Sequence, residues 1–466
     1  MEFKHKYSLA QIKKQKQALI NEKNTISLND ILSSEKCQTI ISQCREFREV
    51  IYTPLKTLFI FIKQVLNPDK SCKNAVAEVV AEHVATHKRP ISLNTGPYCK
   101  ARQRLPENAV RALVKEVGEL SIKKIPKEWK AFGRELKVVD GTSAIMSDTK
   151  NNQAIFPQPK SQKKGIGFPI VRIVTVMSLT VGTVLDYAIG PFKGKGTGES
   201  ALLRSIFDCI NPEDILLGDR YYSSFFIIAD VLSKKADGIF KAHIQRYYDF
   251  RKGEFLGKKD HIVYWKKPSK PEWMDNVTYE KYPDKIKIRE FKVDGNIYVT
   301  TLFDDKKYHK KELANTYKLR WQVEINLKCI KEIMNMEMLS CKTPEMVIKE
   351  IGIHFLAYNF IRIIIAEACI QHNAIPNQIS FKSAVQLINK FMPHFIKSSR
   401  QKNKLIYIEL LNKIVASKIG NRPGRVEPRR IKRRRKAFDT LNRPRIIEKA
   451  KLMRKVDKMI LRYANA

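Results

Sequence analysis

Between residues 134 and 243 the sequence carries five apolar runs of strand length, with two helical patterns among them. The runs are RELKVVD, FPIVRIVTVMSLT, GTVLDYAIG, EDILLGD and GIFKAH; the helical patterns are GESALLRSIFDCI and SSFFIIADVLSKKADG. The second and third runs read as a hairpin turning at Gly182. The second helical pattern is capped by Ser223 or Ser224 and closed by a glycine. The order is therefore β-β-β-α-β-α-β. Mixed strands with helices on the faces make an α/β sheet, so the chain predicts an α/β fold with a mixed sheet covered by helices.

The flanks differ. Residues 1–130 read as helical: KNAVAEVVAEHVATH is amphipathic, KRPISLNTGP breaks it, and the short basic helix YCKARQRL follows. Helix, turn and short basic helix is an arrangement used to read DNA, with Lys100, Arg102 and Arg104 as candidate contacts. A plain helical domain with a basic surface fits equally well. Residues 244–300 are rich in aromatics and alternating patterns and read as a β-rich insertion, closing a core that spans 131–338. Helices follow over 339–418, then a basic tail over 419–466. Nine of the sixteen residues 421–436 are Lys or Arg, a solvated segment suited to a polyanion.

Charge narrows the partners. Lys plus Arg number 87 against 47 Asp plus Glu, for a formal charge of +40. So basic a chain points to nucleic acid. A membrane is a poor alternative, because the most apolar long stretch, 351–370, contains His354, Arg362 and Glu367 and reads as a buried helix. The N-terminal MEFKHKYSLAQIKKQKQ lacks an apolar signal region. The eight cysteines stand singly, without metal-finger spacing, which predicts a reducing, cytoplasmic location.

Two of the apolar runs end in an acid: Asp140 in VVDGT and Asp219 in LLGDRYY. An acid just past a buried strand sits rigidly at the rim of an open α/β sheet, where such sheets place their sites, although strand-end Asp is also an ordinary turn residue. Other acids read as structural: Asp186 within a strand pattern and facing solvent, Asp148 in a loop, Glu199 at a helix start, and Glu213 and Asp214 in a turn. GPFKGKGTGES lacks the spacing of an NTP-binding loop.

A third acid lies in YKLRWQVEINLKCIK. On a helix turning 100° per residue, Tyr317, Arg320, Glu324 and Lys331 fall in a stripe about 60° wide, opposite Leu319, Val323, Leu327, Ile330, Ile333 and Met334. The plain alternative is a solvated face with an Arg320–Glu324 pair. Three converging carboxylates can hold two divalent cations about 3.5–4 Å apart, which suits Mg²⁺ or Mn²⁺ and phosphodiester chemistry.

Asp140 in DGT, Asp219 in GDRYY, and Tyr317, Arg320, Glu324 and Lys331 in the pattern Y-x2-R-x3-E-x6-K together resemble the bacterial insertion-sequence DDE transposases of the cut-and-paste type. GKGTGE and GNRPGRVEPR resemble the same family, and the likeness spans roughly 90–436. It implies a ribonuclease H-like catalytic core interrupted by the β-rich insertion. It implies that Asp140, Asp219 and Glu324 bind two Mg²⁺ (or Mn²⁺) ions and that Tyr317, Arg320 and Lys331 hold the transposon-end phosphates. The partner would be double-stranded DNA, terminal inverted repeats and target, met by a homodimer at the nucleoid. Arg433, Arg434 and Arg435 of the tail would add phosphate contacts. Relatives that form a DNA hairpin stack a flipped base on an aromatic of the insertion; Tyr298, Trp265 and Trp273 are candidates, with Tyr298 preferred. The alternatives are a nuclease or resolvase on the same fold, which has no need of the stripe, and an inactive DNA-binding descendant, in which loss of an acid is expected.

Overall fold

The computed structural model describes residues 34–44, 51–86, 91–123, 125–194, 196–396, 399–420 and 441–464. Among the described residues five α-helices precede the sheet: α1 (Glu35–Ser42), α2 (Pro54–Leu66), α3 (Cys72–Ala85), α4 (Gly96–Arg104) and α5 (Glu107–Lys123). Their starts follow from sequence. Thr53 and Ser71 cap α2 and α3 by accepting the backbone N–H of Lys56 and Asn74, and Pro54 supplies a preset first turn.

The sheet is built from β1 (Leu136–Met146), β2 (Ile170–Ser178), β3 (Val184–Pro191), β4 (Ile215–Gly218) and β5 (Asp237–Lys241), with α6 (Lys150–Ile155), α7 (Glu199–Arg204) and α8 (Phe225–Ser233) between them. Its spatial order is β3-β2-β1-β4-β5. The β1–β4 and β4–β5 pairs are parallel; β1–β2 and β2–β3 are antiparallel. The hairpin turns at Gly182, whose φ of +87° lies where side chains fit poorly. Of the two capping serines considered, Ser224 holds α8, accepting the Ile227 N–H. The pattern GESALLRSIFDCI gives only the short α7 and a 3₁₀ turn, Phe207–Cys209.

The insertion does not stand apart. β6 (Glu254–Gly257), β7 (Asp260–Lys266), β8 (Lys285–Val293) and β9 (Asn296–Thr300) extend the same sheet, β9 pairing antiparallel with β5. A short helix, α9 (Asn276–Glu280), interrupts them. After α10 (Lys310–Lys318) and α11 (Trp321–Lys328), a two-residue β10 (Met338–Leu339) pairs parallel with the far end of β1.

Successive β1 residues feed opposite faces. Leu136 and Val138 enter one apolar core and Val139 the other. The first core also takes Phe61, Val114, Val323, Phe355 and Leu411. So, while the buried apolar residues of α3 and α4 form a separate cluster, α1, α2 and α5 and helices after residue 338 pack in one continuous core with the sheet. At its centre lies α12 (Pro344–Gln371), packed on α5 and α2. By length and composition α12 could cross a membrane, yet its apolar stretch is almost wholly inside the protein. Its polar side chains are used internally: Asn359 donates to the Val114 and Val184 carbonyls and accepts the Val184 N–H, tying α5, β3 and α12 together. The chain continues with α13 (Phe381–Ile396) and α14 (Arg400–Ala416) and, within the expected tail, α15 (Arg445–Ala464).

Candidate active site

The reading of Asp140 as a strand end needs correction. β1 runs six residues past it, paired with β2 as far as Ile145. What ends is its other neighbour: β4 pairs with β1 only from Leu136↔Ile215 to Val138↔Leu217. Carrying that register two positions further sets Asp140 beside Asp219, which directly follows β4. Alternate strand residues share a face, so both acids point the way of Val138 and Leu217, toward the core that also receives Val323 and Leu327 of α11. Glu324 projects from that helix. Each aspartate is braced locally: Asp140 Oδ1 accepts the Gly141 N–H at 2.8 Å and Asp219 Oδ1 the Tyr221 N–H at 2.7 Å.

The segment bearing Glu324 is not one straight helix. α10 stops at Lys318 and α11 begins at Trp321. Between them the N–H groups of Leu319, Arg320, Gln322 and Val323 each bond three residues back. A π-helical turn, Cys329–Ile333, then carries Lys331; such turns recur at functional sites. The uniform 100° step therefore fails at both ends. Leu319, expected inside, is 50 % exposed, and Tyr317, expected on the outer stripe, is 8 % exposed.

Arg320, at the joint, lies among the acids. Its Nη2 is 2.8 Å from Glu324 Oε1 and its Nη1 is 3.6 Å from Asp140 Oδ2. Tyr317 is a further hydrogen-bond partner. Burial pushes the Asp140 carboxyl up to about 6, with Asp219 and Glu324 adding repulsion, while the Gly141 N–H and Arg320 oppose the rise. Burial likewise lifts the Tyr317 phenol to about 12.

Glu199 approaches from the other face. Its carboxylate accepts the Tyr222 hydroxyl at 3.2 Å and lies so close to Gly141 that a Cβ there would stand 2.5 Å from it. Glu199 opens α7 as expected, but its contact with the strand of Asp140 was not foreseen; the glycine directly after that acid was the available signal.

Residues 131–360, spanning all three acids and the Tyr–Arg–Glu–Lys segment, match the Transposase DDE domain. Over 352 residues the chain is 26 % identical to the transposase InsG for insertion sequence element IS4 of Escherichia coli (strain K12), covering 72 % of this chain and 76 % of that one. The chain is a DDE transposase. It cleaves and transfers DNA strands. In shape, 88 % of it overlays 87 % of the piggyBac transposase in a synaptic complex with hairpin DNA, at a TM-score of 0.39 and 9 % identity.

Transposases of this class use divalent metal ions. The donor set here has the right chemistry: carboxylate oxygens, partly shielded from water, with mutual repulsion that a cation would relieve. Among the described residues, however, no three acids, histidines or cysteines stand close enough to grip one ion as they are. The cation now between Asp140 and Glu324 is the Arg320 guanidinium.

Elsewhere in the transposase the structure separates the remaining candidates. On α4, Lys100 and Arg104 are exposed one turn apart. Arg102, half a turn away, points inward. Its guanidinium donates to Gln64 Oε1 and Cys72 Sγ and lies over the Phe61 and Tyr98 rings. Arg102 is thus a buried packing residue, against its expected DNA contact. Tyr298 is buried too, stacked on Phe291 at 5.3 Å and met edge-on by Tyr317 at 5.2 Å, which leaves no free ring face for a base. Trp265 is buried and donates to Glu290. Trp273 is 55 % exposed, with Arg204 over its ring at 4.3 Å. Asp186 does not face solvent: it is buried and ion-paired with Arg111 of α5 at 3.1 Å. Asp214 pairs with buried Lys137 at 2.6 Å. Arg433, Arg434 and Arg435 lie outside the described residues.

Proposed function

We propose that this transposase cuts at the terminal inverted repeats of its element and joins them to target DNA, using Asp140, Asp219 and Glu324 as the acids of a two-ion site. The register that aligns Asp140 with Asp219, under the helix bearing Glu324, carries this reading. The strand order β3-β2-β1-β4-β5, with its parallel and antiparallel pairs, supports a ribonuclease H-like core over 131–338, flanked by a DNA-end-binding region before it and helices after it.

The chain's own groups divide the work. Asp140, Asp219 and Glu324 converge on the reacting phosphate from two strands and a helix. Divalent cations held there would polarise the attacking water or 3′-hydroxyl and steady the leaving oxygen. Arg320 and Lys331 hold the neighbouring phosphates, the guanidinium through two parallel hydrogen bonds. Lys100 and Arg104 reach the inverted repeat from the exposed side of α4. The basic tail adds sequence-independent contacts. A homodimer would bring two ends together, in the cytoplasm, where its DNA lies.

The test is incubation with the flanking inverted repeat and Mg²⁺, followed by mapping of the cut strands. Cuts at the repeat boundary that vanish with Asp219→Asn are expected; cleavage retained in that variant would remove Asp219 from the site.

A further inference from the structure

We propose that Arg320 is a removable counter-ion that makes metal loading depend on DNA binding. The inference rests on the reading of Asp140, Asp219 and Glu324 as metal-binding acids and adds a gate to it. Arg320 bridges Glu324 at 2.8 Å and Asp140 at 3.6 Å. A guanidinium and a divalent cation cannot both occupy the space between those two carboxylates. With Arg320 in place, no three acids among the described residues stand close enough to grip an ion. An entering ion must therefore move the guanidinium out.

Moving it has a cost that DNA can remove. Without DNA, the displaced guanidinium loses both carboxylates and is left beside the metal, facing water. With a DNA strand in the cleft, a phosphate receives it. The side chain has room to move: its backbone sits at the joint between α10 and α11, and the Arg320, Asp140 and Glu324 side chains are 15 %, 20 % and 40 % exposed. The phosphate draws Arg320 off the acids, and the acids then accept metal. Linkage makes this reciprocal: metal tightens DNA binding by the same factor that DNA tightens metal binding. The resting protein would hold its acids neutralised and stay poorly loaded until an end arrives.

The experiment measures Mn²⁺ binding by electron paramagnetic resonance on the full-length protein. It is run with and without a pre-cleaved end duplex whose 3′ terminus is a dideoxynucleotide, so that no chemistry follows. Wild type should gain about tenfold in Mn²⁺ affinity on adding the duplex, a typical coupling. Arg320→Ala and the bulkier Arg320→Gln should bind Mn²⁺ about tenfold tighter than wild type without DNA and gain little from the duplex. Equal Mn²⁺ affinity in wild type and both variants without DNA overturns the proposal. So does a tighter variant that keeps the full DNA enhancement, which is what mere removal of a positive charge would give. Asp140→Asn separates the two readings: loss of Mn²⁺ binding there keeps the metal site whatever Arg320 does, whereas unchanged binding overturns the metal site and the gate together.

Discussion

Two arginines, one on the sheet and one at the joint between α10 and α11, face carboxylates in opposite ways. Arg289 of β8 meets Asp260 of β7 through Nε at 2.9 Å and Nη2 at 2.8 Å, and its Nη1 donates to the Leu302 and Tyr308 carbonyls. The pair is sealed, with side chains 0 % and 5 % exposed. Arg320 spans two acids, one at 2.8 Å and one at a loose 3.6 Å, with the Arg320, Asp140 and Glu324 side chains 15 %, 20 % and 40 % exposed. The first arginine has its donors satisfied by fixed partners, so it can only hold the fold. The second is underused, and its acids crowd one another. The chemistry is the same; burial and saturation decide which pair is structure and which can exchange its partner.

The largest expected effect lies on the open side. Asp140→Asn, Asp219→Asn or Glu324→Gln should each cut strand cleavage by about a thousandfold or more, given several kcal/mol of metal-borne stabilisation. DNA-end binding and the melting temperature should barely change, since phosphate contacts supply the affinity. A cleavage assay on preformed protein–DNA complexes, beside thermal unfolding, checks both. Unfolding in these variants would put the acids in the class of Asp260.

The same substitution at the two arginines should then give opposite signatures. Arg289→Ala leaves Asp260 buried without its partner and should cost about 3–5 kcal/mol of stability. Arg320→Ala removes a partly exposed pair and should cost at most about 1 kcal/mol. Its cleavage rate should still fall about ten- to a hundredfold, the worth of a charge-assisted hydrogen bond. Arg320→Lys should stay impaired, because an ammonium cannot form two parallel bonds to a phosphate. Normal cleavage in Arg320→Ala would make its pair with Glu324 a surface ornament.

What could be read from the chain follows the same division. Apolar runs announced the strands, and Asp219 was visible because β4 ends where its apolar run ends. Asp140 was found for an incomplete reason: its strand continues, and only the shortness of its parallel neighbour exposes it, a pairing that no local pattern encodes. The joint at Leu319–Arg320 and the π turn at Cys329–Ile333 escaped because a periodicity argument assumes one helix. Arg102 and Tyr298 were misplaced for a related reason. A cation on a basic helix and an aromatic in a strand do not reveal which face is buried, and two of the groups Arg102 meets, the Phe61 ring and the Cys72 thiol, lie far off in sequence.

A smaller effect is expected in the tail. Arg433→Ala, Arg434→Ala and Arg435→Ala together should weaken binding to any DNA alike. The slope of log K against log salt should become shallower, by roughly 0.9 for each phosphate that the variant no longer neutralises. Lys100→Ala and Arg104→Ala should instead narrow the preference for the inverted repeat over random duplex. An unchanged salt slope in the triple variant would remove the tail from the DNA.

The smallest effect, and the finest test of the comparison, is at Tyr317. Its position is mixed: the ring belongs to the sealed interior and the hydroxyl faces the arginine held on the acids. The ring packs edge-on against Tyr298, which itself stacks on Phe291. The hydroxyl sits within hydrogen-bonding reach of Arg320. Tyr317→Ala should therefore behave as a core deletion and lose about 3–5 kcal/mol of stability. Tyr317→Phe keeps the ring and removes one hydrogen bond, worth about 0.5–1.5 kcal/mol. If that bond only steadies Arg320 on the acids, Tyr317→Phe should leave cleavage within a few-fold of wild type. If the hydroxyl holds a DNA phosphate once Arg320 has swung away, cleavage should fall as far as in Arg320→Ala while the fold stays intact. The packed ring favours the first outcome. A rate loss in Tyr317→Phe matching that of Arg320→Ala, at an unchanged melting temperature, would move the hydroxyl onto the DNA.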